Sequence, residues 1–405
     1  MRLRAVAGAV RRGRGLSTAA SGWQVVHQRN PSAGGRDAPY PPAAEQTLSM
    51  AEHDAARAQL ATWPEYAPTP LVEHRQLAEM CGVSRVLVKD ESRRGGVGSF
   101  KVLGGALVVE DLALGAAEGP GSVTIATASA GNHGLGVAWG AQRAGTEAVV
   151  YLHSGVSEPM AEKMRALGAR VRRVEGSYED SVRQCVEESE ANGWHVVQDV
   201  SWPGYEAIPR RINAGYSSLA AEACEQMGEG RLPTHVLVNA GVGGFASAIF
   251  AYFWLRAAAD GVPRPRFVTV EPTEADCCLH ALQAGELAAR PRSAAGTVQT
   301  GLDCNEVTPL AWHVLRTGVD DCLAVPDAAV GPTMRFLAES EPPIAAGESA
   351  VAGVAALLSA AEDPALTEAL QLDGESVVLA VVCEAPPDAE SFHAAVGRTP
   401  TQVLA

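Results

Sequence analysis

The sequence has 405 residues, with 32 Lys and Arg against 47 Asp and Glu, a formal charge of −15. This balance excludes the basic face that a nucleic-acid binder needs and opposes adhesion to an anionic membrane. At 47% hydrophobic and 20% charged, the chain falls in the globular range, long enough for about two to three compact units.

Met1 to Arg36 carries seven arginines and no acid, with Ser17-Thr18 among them. This is the profile of a mitochondrial transit peptide, and equally of a disordered leader or a misplaced start. Pro31, Pro39, Pro41 and Pro42 mark residues 30–48 as linker. Residues 1–48 are therefore expected to lie outside the fold, and the protein in the cytoplasm or the mitochondrial matrix. No apolar run approaches the ~18 to 20 residues of a membrane span. Of the eight cysteines none forms a Cys-x-x-Cys pair, and adjacent Cys277 and Cys278 make no zinc framework alone. Reduced thiols and no metal site are expected.

Beyond the linker, short apolar runs predict strands at Val86–Lys89, Val123–Ala126, Val149–Leu152, His195–Gln198, His235–Asn239, Phe267–Val270 and Val377–Val382. Longer helical patterns separate them, among them Met160–Leu167 and Tyr178–Glu190. The alternation predicts βαβ units and an α/β fold of mostly parallel sheets flanked by helices.

Three strand-to-loop-to-helix transitions carry chemistry, where open α/β sheets bind ligands. The first runs from Lys89 through a glycine-rich stretch to Ser99-Phe100-Lys101. The chain has only three lysines, Lys89, Lys101 and Lys163. A cation at a helix start is electrostatically unfavourable, which predicts a lowered amine pKa for Lys101 and a neutral nucleophile able to form a Schiff base. The second is Ser129-Ala130-Gly131-Asn132-His133, whose helix-start amides suit a carboxylate or phosphate and whose Asn132 can donate and accept. The third is Asn239-Ala240-Gly241-Val242-Gly243-Gly244, a phosphate cradle without the Walker lysine. Alone it also fits a dinucleotide fold, with Ala246 at the third glycine position. Amine, oxygen partner and phosphate site together are what pyridoxal phosphate needs.

Ser99-Phe100-Lys101, Ser129 to His133 and Gly241 to Gly244 resemble the fold-type II pyridoxal phosphate enzymes, the tryptophan synthase β and threonine dehydratase group. Lys89-Asp-Glu-Ser92, Val197-Gln-Asp-Val-Ser-Trp-Pro-Gly-Tyr205, Val270-Glu-Pro272, Gly301-Leu302 and Gly347-Glu-Ser349 narrow this further. With other short matches from Pro68 to Glu384, they are similar to the diaminopropionate ammonia-lyases. The resemblance implies a large cofactor domain from residues 60–105 with 217–390, and a small one from 106–216. It implies Lys101 as the Schiff-base residue with Phe100 beside it, and Asn132 on the ring oxygen. It places phosphate on the amides of Gly241, Val242, Gly243 and Gly244, and Cys383 against the pyridine nitrogen. Ser129, Ala130, Gly131 and His133 would line the substrate, with Asp199 catalytic. A homodimer follows from the resemblance alone.

The implied reaction is α,β-elimination from a small amino acid, diaminopropionate first, giving a 2-oxo acid and ammonia. The ammonia-lyases carry an aspartate, base for the D-isomer, where this chain has Ala130. A methyl group is no base. L-substrates are therefore expected, and L-serine or L-threonine dehydration is the alternative. A catalytically impaired cofactor-binding protein is a further one.

Overall fold

The computed structural model describes residues 22–228 and 230–405. The basic leader up to Ser21 lies outside the described residues. Among the described residues are strands β1 (Val26–Arg29), β2 (Leu71–Glu73), β3 (Arg85–Asp90), β4 (Thr124–Ala128), β5 (Glu147–His153) and β6 (Arg170–Val174). Then follow β7 (His195–Val196), β8 (His235–Asn239), β9 (Arg266–Pro272), β10 (Asp321–Val325) and β11 (Val377–Val382).

They form two sheets, ordered β1-β10-β9-β8-β11-β3-β2 and β6-β5-β4-β7. The second sheet is parallel throughout. In the first, β10, β9, β8, β11 and β3 run parallel, with antiparallel β1 and β2 at the edges. Every residue of β8, β9 and β10 is buried. Helices cover both faces of such strands, so they can be apolar without alternation. The expected α/β class holds. Strands β4 to β7 all fall within 106–216. We propose that span as the smaller unit.

The expectation for residues 30–48 needs correction. Instead of a linker, the segment closes one flank of the large sheet. β1 pairs with β10, and Asn30 donates to the carbonyls of Arg316 (2.9 Å) and Val319 (2.7 Å). Ala44 and Leu48 are fully buried. The prolines there shape a short 3-10 turn at Pro42–Gln46 rather than a flexible tether.

The helix Val102–Leu114 is clamped between Asn132–Ala144 and Ala207–Met227. A Cβ on Gly136 would lie 3.1 Å from the Lys101 carbonyl, and one on Gly215 only 1.9 Å from that of Leu103. Glycine lets three backbones meet at the start of the Lys101 helix, fixing it against both neighbours.

Candidate active site

Parallel register brings the chemistry to one edge. Val382 is level with Asp90 and Ala380 with Leu237, so β3, β8 and β11 end side by side. From these ends run the Lys101 loop, the glycine loop and Cys383-Glu384. In the other sheet, β4 ends at Ala128 beside Gln198, which donates to the Ala128 carbonyl (3.0 Å). Ser129–His133 and Asp199 therefore emerge together. The ends of the two sheets face one another.

Two contacts cross between them. The Lys101 Nζ touches Asp199 Oδ2, and the Asn132 Nδ2 donates to Glu384 Oε2. Lys101 precedes the first residue of its helix, as expected. Its pKa goes the other way. Burial opposes the ammonium, but the Asp199 carboxylate outweighs burial and raises the pKa instead of lowering it. A full opposite charge at contact is stronger than the partial charge of a helix start. Burial likewise opposes the Asp199 charge, yet His133 and Lys101 hold its carboxyl well below the usual range.

His133 Nε2 donates to the Val197 carbonyl (2.9 Å), and Nδ1 sits 3.7 Å from Asp199 Oδ2. Burial lowers its pKa, against the pull of the Asp199 carboxylate. Phe100 turns into the core, stacked on Phe245 (centroids 3.9 Å) and edge-on to Tyr216 (4.8 Å). Lys101 Nζ lies 5.1 Å from the Phe100 ring and 5.6 Å from that of Tyr216. The aromatic group walls the amine and offers no polar ligand of its own from Phe100.

Cys383 is buried, with Sγ 3.6 Å from both the Asn239 amide and the Ser349 carbonyl. Burial, then neighbouring Glu384, push its thiol far up, so it stays neutral. Ser129 Oγ accepts from the Gly131 amide (3.3 Å), and no side chain caps the helix that starts at Asn132. The Ala130 methyl leaves that loop without a carboxylate.

These residues fit pyridoxal phosphate. The helix Gly244–Asp260 starts with no side-chain cap, and Gly243 before it has φ +86°. A Cβ there would sit 2.6 Å from Leu315 Cδ1, and one on Gly241 3.0 Å from Cys304 Sγ. The cradle is thus lined by backbone amides at the positive end of a helix, as an anion requires. Lys101 can hold the aldehyde, Asn132 the ring oxygen, and neutral Cys383 the pyridine nitrogen. Lys89 cannot compete: it is fully buried against Glu222 (2.7 Å) and donates to the Thr69 carbonyl (2.8 Å).

Sequence reasoning missed roles for Tyr216, Asn239, Ser349 and Glu384. Asn239 donates to the Ser349 carbonyl (3.1 Å), and Ser349 Oγ accepts from the Gly301 amide (2.9 Å). The signal available was the pair of short motifs Gly301-Leu302 and Gly347-Glu-Ser349. Also unforeseen, Glu271, Cys277 and Cys278 bring potential ligand atoms within 4.8 Å of one another behind the glycine loop.

The family model described as "Pyridoxal-phosphate dependent enzyme" matches residues 62–384. Diaminopropionate ammonia-lyase of Escherichia coli strain K12 is 36% identical over 353 residues, 82% of this chain and 87% of that one. The biosynthetic L-threonine dehydratase of the same strain is 26% identical over 71% of this chain and 52% of its own. The crystal structure of the Escherichia coli ammonia-lyase, in complex with an aminoacrylate–PLP azomethine reaction intermediate, superposes with a TM-score of 0.81. It is 33% identical over 92% of this chain and 97% of its own. The matched span takes in every residue of the site described above, and the chain belongs to the pyridoxal-phosphate dependent enzymes, with the fold of the diaminopropionate ammonia-lyases among them.

Proposed function

We propose that the protein catalyses pyridoxal phosphate-dependent α,β-elimination from L-diaminopropionate, giving a 2-oxo acid and ammonia. The observation that carries the proposal is the Lys101–Asp199 contact between the two sheet ends, within a chain similar to the ammonia-lyases over most of its length. When bound, the cofactor supplies an electron sink for the negative charge left at the substrate Cα. Lys101 would anchor it and would take the Cα proton at its Nζ. Asp199 steadies the ammonium so formed and offers a carboxylate to the substrate's second amine. The amides at the start of the Asn132 helix bind the substrate carboxylate. Phe100, Phe245 and Tyr216 exclude water behind Lys101, which strengthens each charge interaction.

Ala130 favours a second reading, L-serine or L-threonine dehydration. Both readings lack a base for the D-isomer at that loop. An ammonia and 2-oxo acid assay across L- and D-diaminopropionate, L-serine and L-threonine separates them. Turnover of the D-isomer equal to that of the L-isomer overturns the reading of Ala130. No turnover of any, with cofactor bound, leaves an impaired binding protein.

Among the described residues no helix is long and apolar enough to cross a membrane. We place the protein inside the cell, consistent with eight free cysteines. The relatives named above are bacterial and lend the mitochondrial matrix no support. A homodimer, measurable by static light scattering of the purified protein, is part of the proposal.

A further inference from the structure

Glu384 follows Cys383 at the end of β11 and is 7% exposed. It has no cationic partner within ion-pair distance among the described residues, although it lies in the site. Its Oε2 accepts from Asn132 Nδ2. Its backbone is bridged to Ser99, two residues before Lys101, and accepts from the Gly347 amide (3.1 Å). The surrounding walls are close. A Cβ on Gly347 would lie 2.9 Å from Glu384 Oε1, and one on Gly301 3.9 Å from Oε2. The carboxyl is thus wedged between glycine backbone, Ser349 and the amide side chain of Asn132.

Resting on the pyridoxal phosphate reading above, we propose that Glu384 is a positioning residue that holds the Asn132 amide in the orientation facing the cofactor's ring oxygen. An asparagine amide has two N–H groups. Glu384 takes one of them, which fixes the plane of the amide and aims the other across the sheet gap. Asn132 sits in the first turn of its helix, and among the described residues no other side chain holds it there. Without Glu384 its side chain would rotate freely and the ring oxygen would lose a fixed donor.

The carboxyl is also able to respond to pH. The groups facing it are Glu348 on the 348–350 turn, Lys101 at the head of its helix, Cys383 on its own strand, and the neutral Ser349 and Asn132. Burial first, and Glu348 second, push it up to about 7, against the opposing Ser349 contacts and the Lys101 charge. Near neutrality the Asn132 amide therefore donates to a carboxylate on the alkaline side and to a carboxylic acid on the other, a weaker acceptor.

The test uses the visible absorbance of the cofactor on Lys101, titrated with pH in the holoenzyme and in Glu384→Gln, Asn132→Ala and the double variant. The isosteric Glu384→Gln keeps an amide-accepting oxygen and the fold. We expect its band to shift its pH midpoint by on the order of one unit from wild type. In the Asn132→Ala background the same substitution should shift it much less, because partners in one network are not additive. Superimposable titrations of wild type and Glu384→Gln overturn the proposal. A full shift that persists without Asn132 also overturns it, assigning a through-space charge instead. Wild-type protein that develops no band with added pyridoxal phosphate overturns the cofactor reading itself, and with it this proposal.

Discussion

Lys101 Nζ meets Asp199 Oδ2 across the gap between two sheets, although 98 positions separate them in the chain. The pair joins the loop after β3 to the segment after β7. Against burial, the Asp199 carboxylate raises the Lys101 pKa, and we propose that it serves the proton transfer assigned to that lysine.

Lys101→Ala should abolish the visible band of the bound cofactor and reduce turnover at least ~10³-fold, since both the covalent anchor and the Cα base are lost. Absorbance of the purified variant with added pyridoxal phosphate checks this. A retained band together with product formation would falsify the assignment, because Lys89 is sealed in its own buried ion pair.

Asp199→Asn should keep the fold and the cofactor, yet lower kcat/KM by roughly 10²-fold, the range for a positioned charge or proton-transfer group. Steady-state kinetics with L-diaminopropionate beside the absorbance spectrum distinguishes this from simple loss of cofactor. Unchanged kinetics would assign Asp199 a structural role only.

Ala130→Asp places a carboxylate on the loop before Gly131-Asn132-His133. Turnover of D-diaminopropionate should rise from background while that of the L-isomer changes little. Enantiopure substrates decide the matter; no gain on the D-isomer means that this loop does not present a base to the Cα proton.

Gly243→Ala should weaken cofactor retention and lower Tm. Its φ of +86° disfavours a Cβ by ~1–2 kcal/mol, before counting the approach to Leu315 Cδ1 at 2.6 Å. Equilibrium titration with pyridoxal phosphate and thermal unfolding report the two effects separately. Wild-type affinity in this variant would mean that the loop is not the phosphate cradle.

Glu271 gives a pH-dependent prediction. It accepts from the amides of Cys278 (2.7 Å) and Leu279 (2.9 Å), yet burial pushes its carboxyl up to about 8. Unfolded, it titrates near the usual carboxylate value. Between about pH 4.5 and 8 the native state holds the extra proton, so this group's contribution is full below that window and is lost as pH rises through it. Glu271→Gln removes the dependence. The difference in Tm between variant and wild type should therefore move in the variant's favour from pH 5 to pH 9. A difference that stays constant over that range would show that the carboxyl is already ionised in the folded protein.

Much of this molecule was legible in one dimension. His235–Asn239 and Val377–Val382 are strands at the residues expected, because parallel strands buried on both faces are short, continuous apolar runs between turn signals. β6 escaped notice. Its Arg-Val-Arg-Arg-Val exposes three arginines at the sheet edge, where charge is tolerated and the apolar signal vanishes. β1 was hidden in the acid-free, arginine-rich leader because its pairing partner lies nearly 300 residues away. The order of the loops and a single lysine in a Ser-Phe-Lys context pointed to Lys101 and the glycine loop as candidates, and the resemblance added Asn132. The sequence alone determined which residue types reach the strand ends, since hydrophobic pattern and glycine spacing are local properties. Which of them meet was decided only by the tertiary structure. The direction of the Lys101 pKa depends on Asp199, and the setting of Asn132 on Glu384, and both partners come from the opposite sheet. Electrostatic and hydrogen-bond energies depend on distance in space, which strand register and sheet packing set.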